Sequence, residues 1–304
     1  MRLGLTPWNF ADLSAASLTD QAAFAEAHGY DSFWLPENHF NARAIPDPLM
    51  LLAGVAAGTT TIRLGTTSYL LPLRHPLLAA EQVAVLDQLS HGRVLLGIGR
   101  GYSHPVLQAF DVDPASKRVQ FEAVLATMIK AWSGHAVAGD GEQGLVLDPR
   151  PVQSPHPPLW VAAFGPKALA QAGRLGLPYL ASPIETLAEL RANFKRHREA
   201  VAAAAQSPPA RRPIMRTIFV SERTALTTAL RERLGRAKTA TGGKPHAGVD
   251  DWAIIGDSQF VSDKFAEYRE ALAPTDMIVT RLRLDDIEER DLRESVARLA
   301  ELFG

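Results

Sequence analysis

Apolar runs along the chain alternate with stretches whose apolar residues recur at helical spacing. The clearest example lies between Ile62 and Gly101. A run rich in apolar and β-branched residues, Ile62–Leu71, predicts a buried strand, and Val94–Ile98 predicts a second one. Between them, Leu77–Leu89 has the period of an amphipathic helix. A strand, a helix and a strand joined by short loops predict a βαβ unit with parallel strands.

The same alternation continues along the whole chain. It predicts eight strands, at Arg2–Leu5, Ser32–Leu35, Ile62–Leu71, Val94–Ile98, Leu159–Ala163, Pro178–Ala181, Pro213–Val220 and Met277–Leu282. Helical patterns follow these strands, and no change of composition marks a domain boundary. We therefore expect an α/β fold, namely one (β/α)8 TIM barrel domain over residues 1–304. An open doubly wound sheet is the alternative.

Two segments interrupt the alternation. Tyr102–Lys117, after the fourth strand, holds two prolines and no steady period, which indicates an insertion over the strand ends. Residues 239–258, between the seventh and eighth strands, are polar and rich in glycine and predict a second insertion that forms a loop.

Composition excludes several classes of protein. The apolar fraction of 46% can bury a large core, while a net charge of −1 gives no electrostatic footprint for nucleic acid or an anionic membrane. The chain has no cysteine, which excludes disulfides, thiolate nucleophiles and cysteine-based metal sites. Because no apolar run reaches the length of a membrane span and the N-terminus lacks a signal-peptide pattern, we expect a soluble cytoplasmic protein.

Barrel active sites are built from the loops that follow the strands. Those loops supply candidate residues without reference to any family: Trp8, Asn9, Glu37, Asn38, His39, Thr67, Ser68, Arg100, Tyr102 and the turn Phe164–Lys167.

Two arginines among the strand ends and helix starts suggest a phosphate site. Arg100 lies between two glycines, where backbone can approach a ligand closely, and Arg118 begins the next helix. Two guanidinium groups beside the free amides of a helix start bind phosphate well, and the turn Gly165–Lys167 begins a further helix. On these residues alone, a surface or ion-pair role for the arginines is an equal alternative.

Glu37, Asn38 and His39 place a carboxylate, an amide and an imidazole together after the second strand. This combination suits ligand contact or proton handling by His39. The alternative is that Glu37 and His39 brace neighbouring loops. No metal site is expected, because no second histidine lies nearby in sequence.

The chain resembles the bacterial luciferase-like flavin-dependent monooxygenases, also called luciferase-like monooxygenase class flavin-dependent oxidoreductases. The most specific stretch is LGTTSYLLPLRHPLLAAEQVAVLDQLSHGRVLLGIGRG, and FWLPENHF, PHPPLWVAAFGPKALAQAGRLGLPYLAS and IVTRLRL add support. The resemblance covers nearly the whole chain.

This resemblance implies a flavin at the carboxyl ends of the strands. It assigns the flavin phosphate to Arg100, Arg118 and the turn formed by Gly165, Pro166, Lys167 and Ala168. It also implies a cis peptide bond that does not involve proline, Thr67–Ser68, under the isoalloxazine ring. The substrate pocket would be lined by Trp8, Asn9 and Tyr102, and residues 239–258 would form a mobile lid.

The sequence departs from the family pattern at two places. Asn38 stands where the family commonly has a histidine, and asparagine cannot exchange a proton near neutral pH. Luciferase chemistry is therefore not expected. At the phosphate turn, Gly165 and Ala168 stand where a serine and a threonine are frequent in the family.

The resemblance favours a two-component monooxygenase that uses O2 and reduced FMN, supplied by a separate flavin reductase, on a small organic substrate. Glu37, Asn38 and His39 are its catalytic candidates, and a homodimer is expected. One alternative is hydride transfer with the deazaflavin coenzyme F420. Another is a flavin-binding protein without catalytic turnover, which Asn38 makes plausible.

Overall fold

The computed structural model of the chain describes residues 1–139, 143–236, 248–281, 284 and 286–303. The strands are β1 (Arg2–Leu5), β2 (Ser32–Leu35), β3 (Arg63–Thr66), β4 (Tyr69–Leu70), β5 (Val94–Gly99), β6 (Leu159–Ala162), β7 (Tyr179–Leu180), β8 (Pro213–Val220), β9 (Ala253–Gly256) and β10 (Asp276–Thr280). The helices are α1 (Ala15–Ala27), α2 (Pro48–Gly58), α3 (Pro76–Leu89), α4 (His104–Ala109), α5 (Lys117–Trp132), α6 (Pro166–Arg174), α7 (Leu187–Ala203), α8 (Thr224–Arg236), α9 (Ser258–Leu272) and α10 (Glu289–Phe303).

The chain divides into two compact units. The first unit comprises Met1–Asp12, Gln21–Trp34 and Ala163–Gly304. Within it, the strands hydrogen-bond in the order β2, β1, β10, β8, β9, and every one of these pairs is parallel. The prediction of an α/β fold with parallel strands is confirmed there.

The second unit comprises Leu13–Asp20 and Leu35–Ala162. Its central strand is β5, which pairs in parallel with β3, β4 and β6. All six residues of β5 are buried, in keeping with the uninterrupted apolar run VLLGIG. The predicted βαβ unit is confirmed as β3, α3 and β5.

Local sequence signals explain where two of the helices begin. Asp47 caps α2 by accepting a hydrogen bond from Met50 N at 3.0 Å, and Pro48 occupies the first turn. Thr186 and Glu189 form a reciprocal capping box. Because of that box, α7 begins at Leu187. Among the described helices, none combines the length and the apolar content that crossing a bilayer requires.

Arg93, the residue before β5, ties three elements of the second unit together. Its guanidinium donates to Ala56 O and Thr59 O at the end of α2 and to Ile62 O before β3. A fourth bond goes to the Thr59 hydroxyl. These bonds satisfy carbonyl groups that a helix end leaves without intrahelical partners, and they hold β5 in place beside β3.

The structure corrects two parts of the predicted strand pattern. The single strand expected at Ile62–Leu71 is two strands, β3 and β4, because the chain turns at Thr67–Ser68. The segment expected to be a loop at residues 239–258 contains the buried strand β9, which pairs with β8. The run AIIG directly follows a long polar and glycine-rich stretch, and that stretch masks the strand pattern. Residues 237–247 of the predicted lid lie outside the described residues.

Candidate functional site

The carboxyl ends of β3, β4 and β5 lie side by side in the second unit. Thr66 at the end of β3 donates its hydroxyl hydrogen to Gly97 O at 2.7 Å. The next peptide bond, Thr67–Ser68, is cis, and Thr67 N donates to Leu35 O at 2.8 Å. The predicted non-proline cis peptide is therefore confirmed.

Gly99 allows Ser68 to approach the backbone of β5 closely. A Cβ atom at position 99 would lie 2.1 Å from Ser68 Oγ and 3.1 Å from Ser68 Cβ, both closer than van der Waals contact. The sequence suggested that the glycines around Arg100 let the backbone approach a ligand closely. In the structure, the neighbour that requires Gly99 is the serine of the cis peptide.

Arg100 follows Gly99 and extends along the ends of β5 and β6. Its Nη2 donates to Ala162 O at 3.1 Å, and its guanidinium carbon lies 5.9 Å from the centroid of the Phe121 ring. Partial burial, reinforced by the positive charge of Arg118, lowers the pKa of Arg100 to about 10. The two arginines proposed for a phosphate site are therefore close enough to repel each other.

A third cation, Lys117, belongs to the same cluster. Lys117 Nζ donates to Gly101 O at 3.0 Å. Burial, and then the charges of Arg100 and Arg118, lower the pKa of Lys117. We call Arg100, Lys117 and Arg118 the cation cluster. Sequence reasoning missed Lys117, although its place in the first turn of α5 beside Arg118 was a signal that could have found it.

The first turn of α5 faces this cluster without a side-chain cap. Ser116 precedes the helix and donates its hydroxyl hydrogen back to Asp113 O at 3.0 Å, instead of capping the first amides. A helix start favours anions through its amides and its dipole. The start of α5 and the cation cluster therefore both favour an anionic ligand.

Glu37 is the centre of a buried polar network. Its Oε1 accepts from His39 Nε2 at 2.9 Å and forms an ion pair with Arg74 Nη2 at 2.9 Å, and its Oε2 accepts from Leu70 N at 2.9 Å. Burial raises the pKa of Glu37, and the charge of Arg74 opposes that rise. These contacts join the loop after β2 to β4, so in this geometry Glu37 and His39 brace neighbouring loops.

Asn38 closes the loop that follows β2. Its Oδ1 accepts from Ile45 N at 3.0 Å, and its own N–H donates to Ile45 O at 3.0 Å. Because the side-chain oxygen is already used by the loop, the group that suits a ligand is the Nδ2 amide, which donates hydrogen bonds.

Two further candidates, Trp8 and Asn9, lie in the first unit after β1. Gln21 Oε1 accepts from both of their backbone N–H groups, at 2.9 and 3.0 Å. Trp8 is only 3% exposed, and its ring packs edge-on against Phe24, with ring centroids 5.8 Å apart. Their assignment to a substrate pocket stays a prediction.

The turn at Gly165 also lies in the first unit. Gly165 has φ 84° and ψ 164°, a conformation open only to glycine, and it precedes α6. Pro166 occupies the first helical position, Lys167 is exposed and Ala168 is buried.

The candidates thus fall into two groups. Glu37, Asn38, His39, Thr67, Ser68, Arg100, Tyr102 and Arg118 lie in the second unit, and Trp8, Asn9 and Gly165–Ala168 lie in the first. Tyr102 is 75% exposed. Within the described part of the chain, no group of three or more His, Cys, Asp or Glu side chains could hold a metal ion.

The described chain thus combines parallel α/β units, a non-proline cis peptide and a cation cluster at the end of β5. Residues 5–275 match the family model described as luciferase-like monooxygenase. The match covers well over half of the chain, and the chain therefore belongs to the luciferase-like monooxygenase family.

Relatives and solved structures agree with this assignment. The oxygenase component of a flavin-dependent trigonelline monooxygenase from Acinetobacter baylyi is 31% identical over 47% of this chain and 42% of that protein. The chain spans about half the length of the curated relatives it matches.

Two solved structures share the fold. The oxygenating constituent of 3,6-diketocamphane monooxygenase from Pseudomonas putida, in complex with FMN, has a TM-score of 0.82 and 20% identity, covering 99% of this chain and 97% of that one. The coenzyme F420-dependent tetrahydromethanopterin reductase from Methanopyrus kandleri has a TM-score of 0.75 and 18% identity, with the same coverage.

The contact between Gly99 and Ser68 leads to a stability prediction. Gly99→Ala should lower the free energy of unfolding by about 1–3 kcal/mol, because the added methyl group overpacks Ser68. The double variant Ser68→Ala/Gly99→Ala should recover part of that loss, since the Oγ atom at 2.1 Å is removed. Denaturant unfolding of the single and double variants provides the measurement.

Gly235→Ala is a matched control, because Gly235 lies in α8 and a Cβ atom added there would meet no other atom within 4 Å. It should leave stability unchanged or raise it by about 0.5–1 kcal/mol. If Gly99→Ala behaves in the same way as this control, the close approach of Ser68 does not constrain position 99.

Proposed function

We propose that the protein is a two-component flavin-dependent monooxygenase. It would take reduced FMN from a separate flavin reductase and use O2 on a small organic substrate, as a homodimer. The observation that carries this proposal is the cation cluster. A phosphate monoester holds nearly two negative charges at pH 7, and three cations beside a helix start suit such a group.

The residues present are suited to FMN. Arg100, Lys117 and Arg118 would hold its phosphate. The assignment of the turn Gly165–Ala168 to the same phosphate stays a prediction. The cis peptide Thr67–Ser68 would support the isoalloxazine ring. Reduced FMN, when bound, supplies the electrons that reduce O2, and the protein binds the ring, orients it and excludes water.

The polar residues after β2 would act on the ring or the substrate in different ways. Asn38 would donate a hydrogen bond through Nδ2 and would not transfer a proton. Glu37 would act as a positioning residue, since its contacts with His39 and Arg74 hold the loop that carries Asn38. His39 would share that positioning role.

A second candidate function is F420-dependent hydride transfer. The fold likeness to the Methanopyrus kandleri reductase supports it. The cation cluster favours FMN, because the phosphate of F420 belongs to a diester and carries a single negative charge.

Replacing Arg100 tests the phosphate site. Arg100→Ala should weaken FMN binding about ten- to hundred-fold, because a charge-assisted hydrogen bond contributes about 1.5–3 kcal/mol. Riboflavin, which lacks the phosphate, should bind the variant and the wild type nearly equally. Titration followed by flavin fluorescence gives both dissociation constants.

Arg191→Ala, an exposed substitution on α7, is the control for loss of an arginine and should leave both affinities unchanged. Equal loss of FMN and riboflavin binding in Arg100→Ala would show that Arg100 does not hold the phosphate.

Oxygen consumption tests turnover. With reduced FMN regenerated by a flavin reductase, at least one compound of a small-molecule panel should increase oxygen uptake and acquire one atom of labelled O2. If no compound changes the rate of oxygen uptake although the protein binds FMN, the protein is a flavin carrier without catalytic activity.

A further inference from the structure

A hydrogen bond holds the Lys117 ammonium group beside the carboxyl end of β5. Its Nζ donates to Gly101 O at 3.0 Å, and Gly101 is the residue directly after Arg100. Gly101 has φ 70°, a left-handed conformation that favours glycine. An ammonium group carries three N–H donors, so two further donors can meet a ligand while the third holds Gly101.

This anchoring brings a third positive charge to a place that already holds two. The charges of Arg100 and Arg118 both act on Lys117, and the charge of Arg118 acts on Arg100. Like charges at short range oppose each other, and an anion bound among them relieves all three repulsions at once. The relief grows with the charge of the anion.

The charge of the ligand phosphate therefore matters at this site. A terminal phosphate monoester carries close to two negative charges near neutral pH. A phosphodiester has lost one ionisable oxygen and carries one. Two arginines can satisfy a single charge through bidentate bonds, so the third cation contributes most to the second charge.

We propose that Lys117 is a specificity-determining residue, which makes the cation cluster select a doubly charged phosphate monoester over a singly charged phosphodiester. The inference rests on the proposed function, because it assumes that the ligand is a flavin with a phosphate. Beyond that function, the inference specifies that the site prefers a phosphate monoester and that Lys117 sets this preference.

Three flavins that differ only at the phosphate test the proposal. They are FMN, the monomethyl ester of FMN and riboflavin, with two, one and no negative charges on the side chain. Wild-type protein should bind FMN about tenfold more tightly than the methyl ester. In Lys117→Met, FMN should bind about tenfold more weakly, the methyl ester less than threefold more weakly, and riboflavin should be unaffected.

Two other substitutions separate charge from anchoring. Lys117→Gln keeps a donor for Gly101 O but has no charge, so it should lose the preference for FMN over the methyl ester, as Lys117→Met does. Lys117→Arg keeps the charge and should retain that preference. Lys130→Met removes an exposed lysine from the last turn of the same helix and should change none of the three affinities.

The outcomes distinguish this proposal from the proposed function. If Lys117→Met weakens FMN and the methyl ester by the same factor, while the wild type still prefers FMN to riboflavin, Lys117 does not read the second charge and only this inference fails. If the wild type binds FMN no better than riboflavin, the phosphate site itself fails, and both proposals are overturned.

Discussion

Mutual repulsion among Arg100, Lys117 and Arg118 is the constraint on which the site depends. Arg100 follows the end of β5, and Lys117 and Arg118 lie in the first turn of α5, where Lys117 also donates to Gly101 O. Gathering like charges opposes folding of the chain alone and raises its affinity for an anion. The packed strands and helices around the cluster must therefore offset this repulsion.

That support comes from the backbone of β3, β4 and β5. Arg93 holds β5 against α2 and β3, and Gly99 leaves room for Ser68 beside the strand end. Glu37 adds a buried network that joins the loop after β2 to β4. In the proposed function, this backbone geometry would set where the flavin ring lies, and the side-chain charges would set where its phosphate lies.

The strand pattern could be predicted because buried parallel strands are short apolar runs bounded by glycine and proline. The prediction failed at β9, because its short run AIIG adjoins a long polar and glycine-rich stretch. The proximity of Arg100 and Arg118 could be predicted, because one follows a strand and the other begins the next helix. Lys117 could have been considered because it stands beside Arg118, but only the fold shows its contact with Gly101. The use of Asn38 Oδ1 by Ile45 likewise depends on loop geometry that no residue pattern reveals.

Membership of the luciferase-like monooxygenase family leaves the choice of cofactor to the residues of this chain. The most direct measurement is an anaerobic equilibrium titration of the protein with reduced FMN and with reduced coenzyme F420. The cation cluster predicts that reduced FMN binds at micromolar concentration and that F420 binds much more weakly. Binding of F420 alone would contradict a monooxygenase that uses reduced FMN.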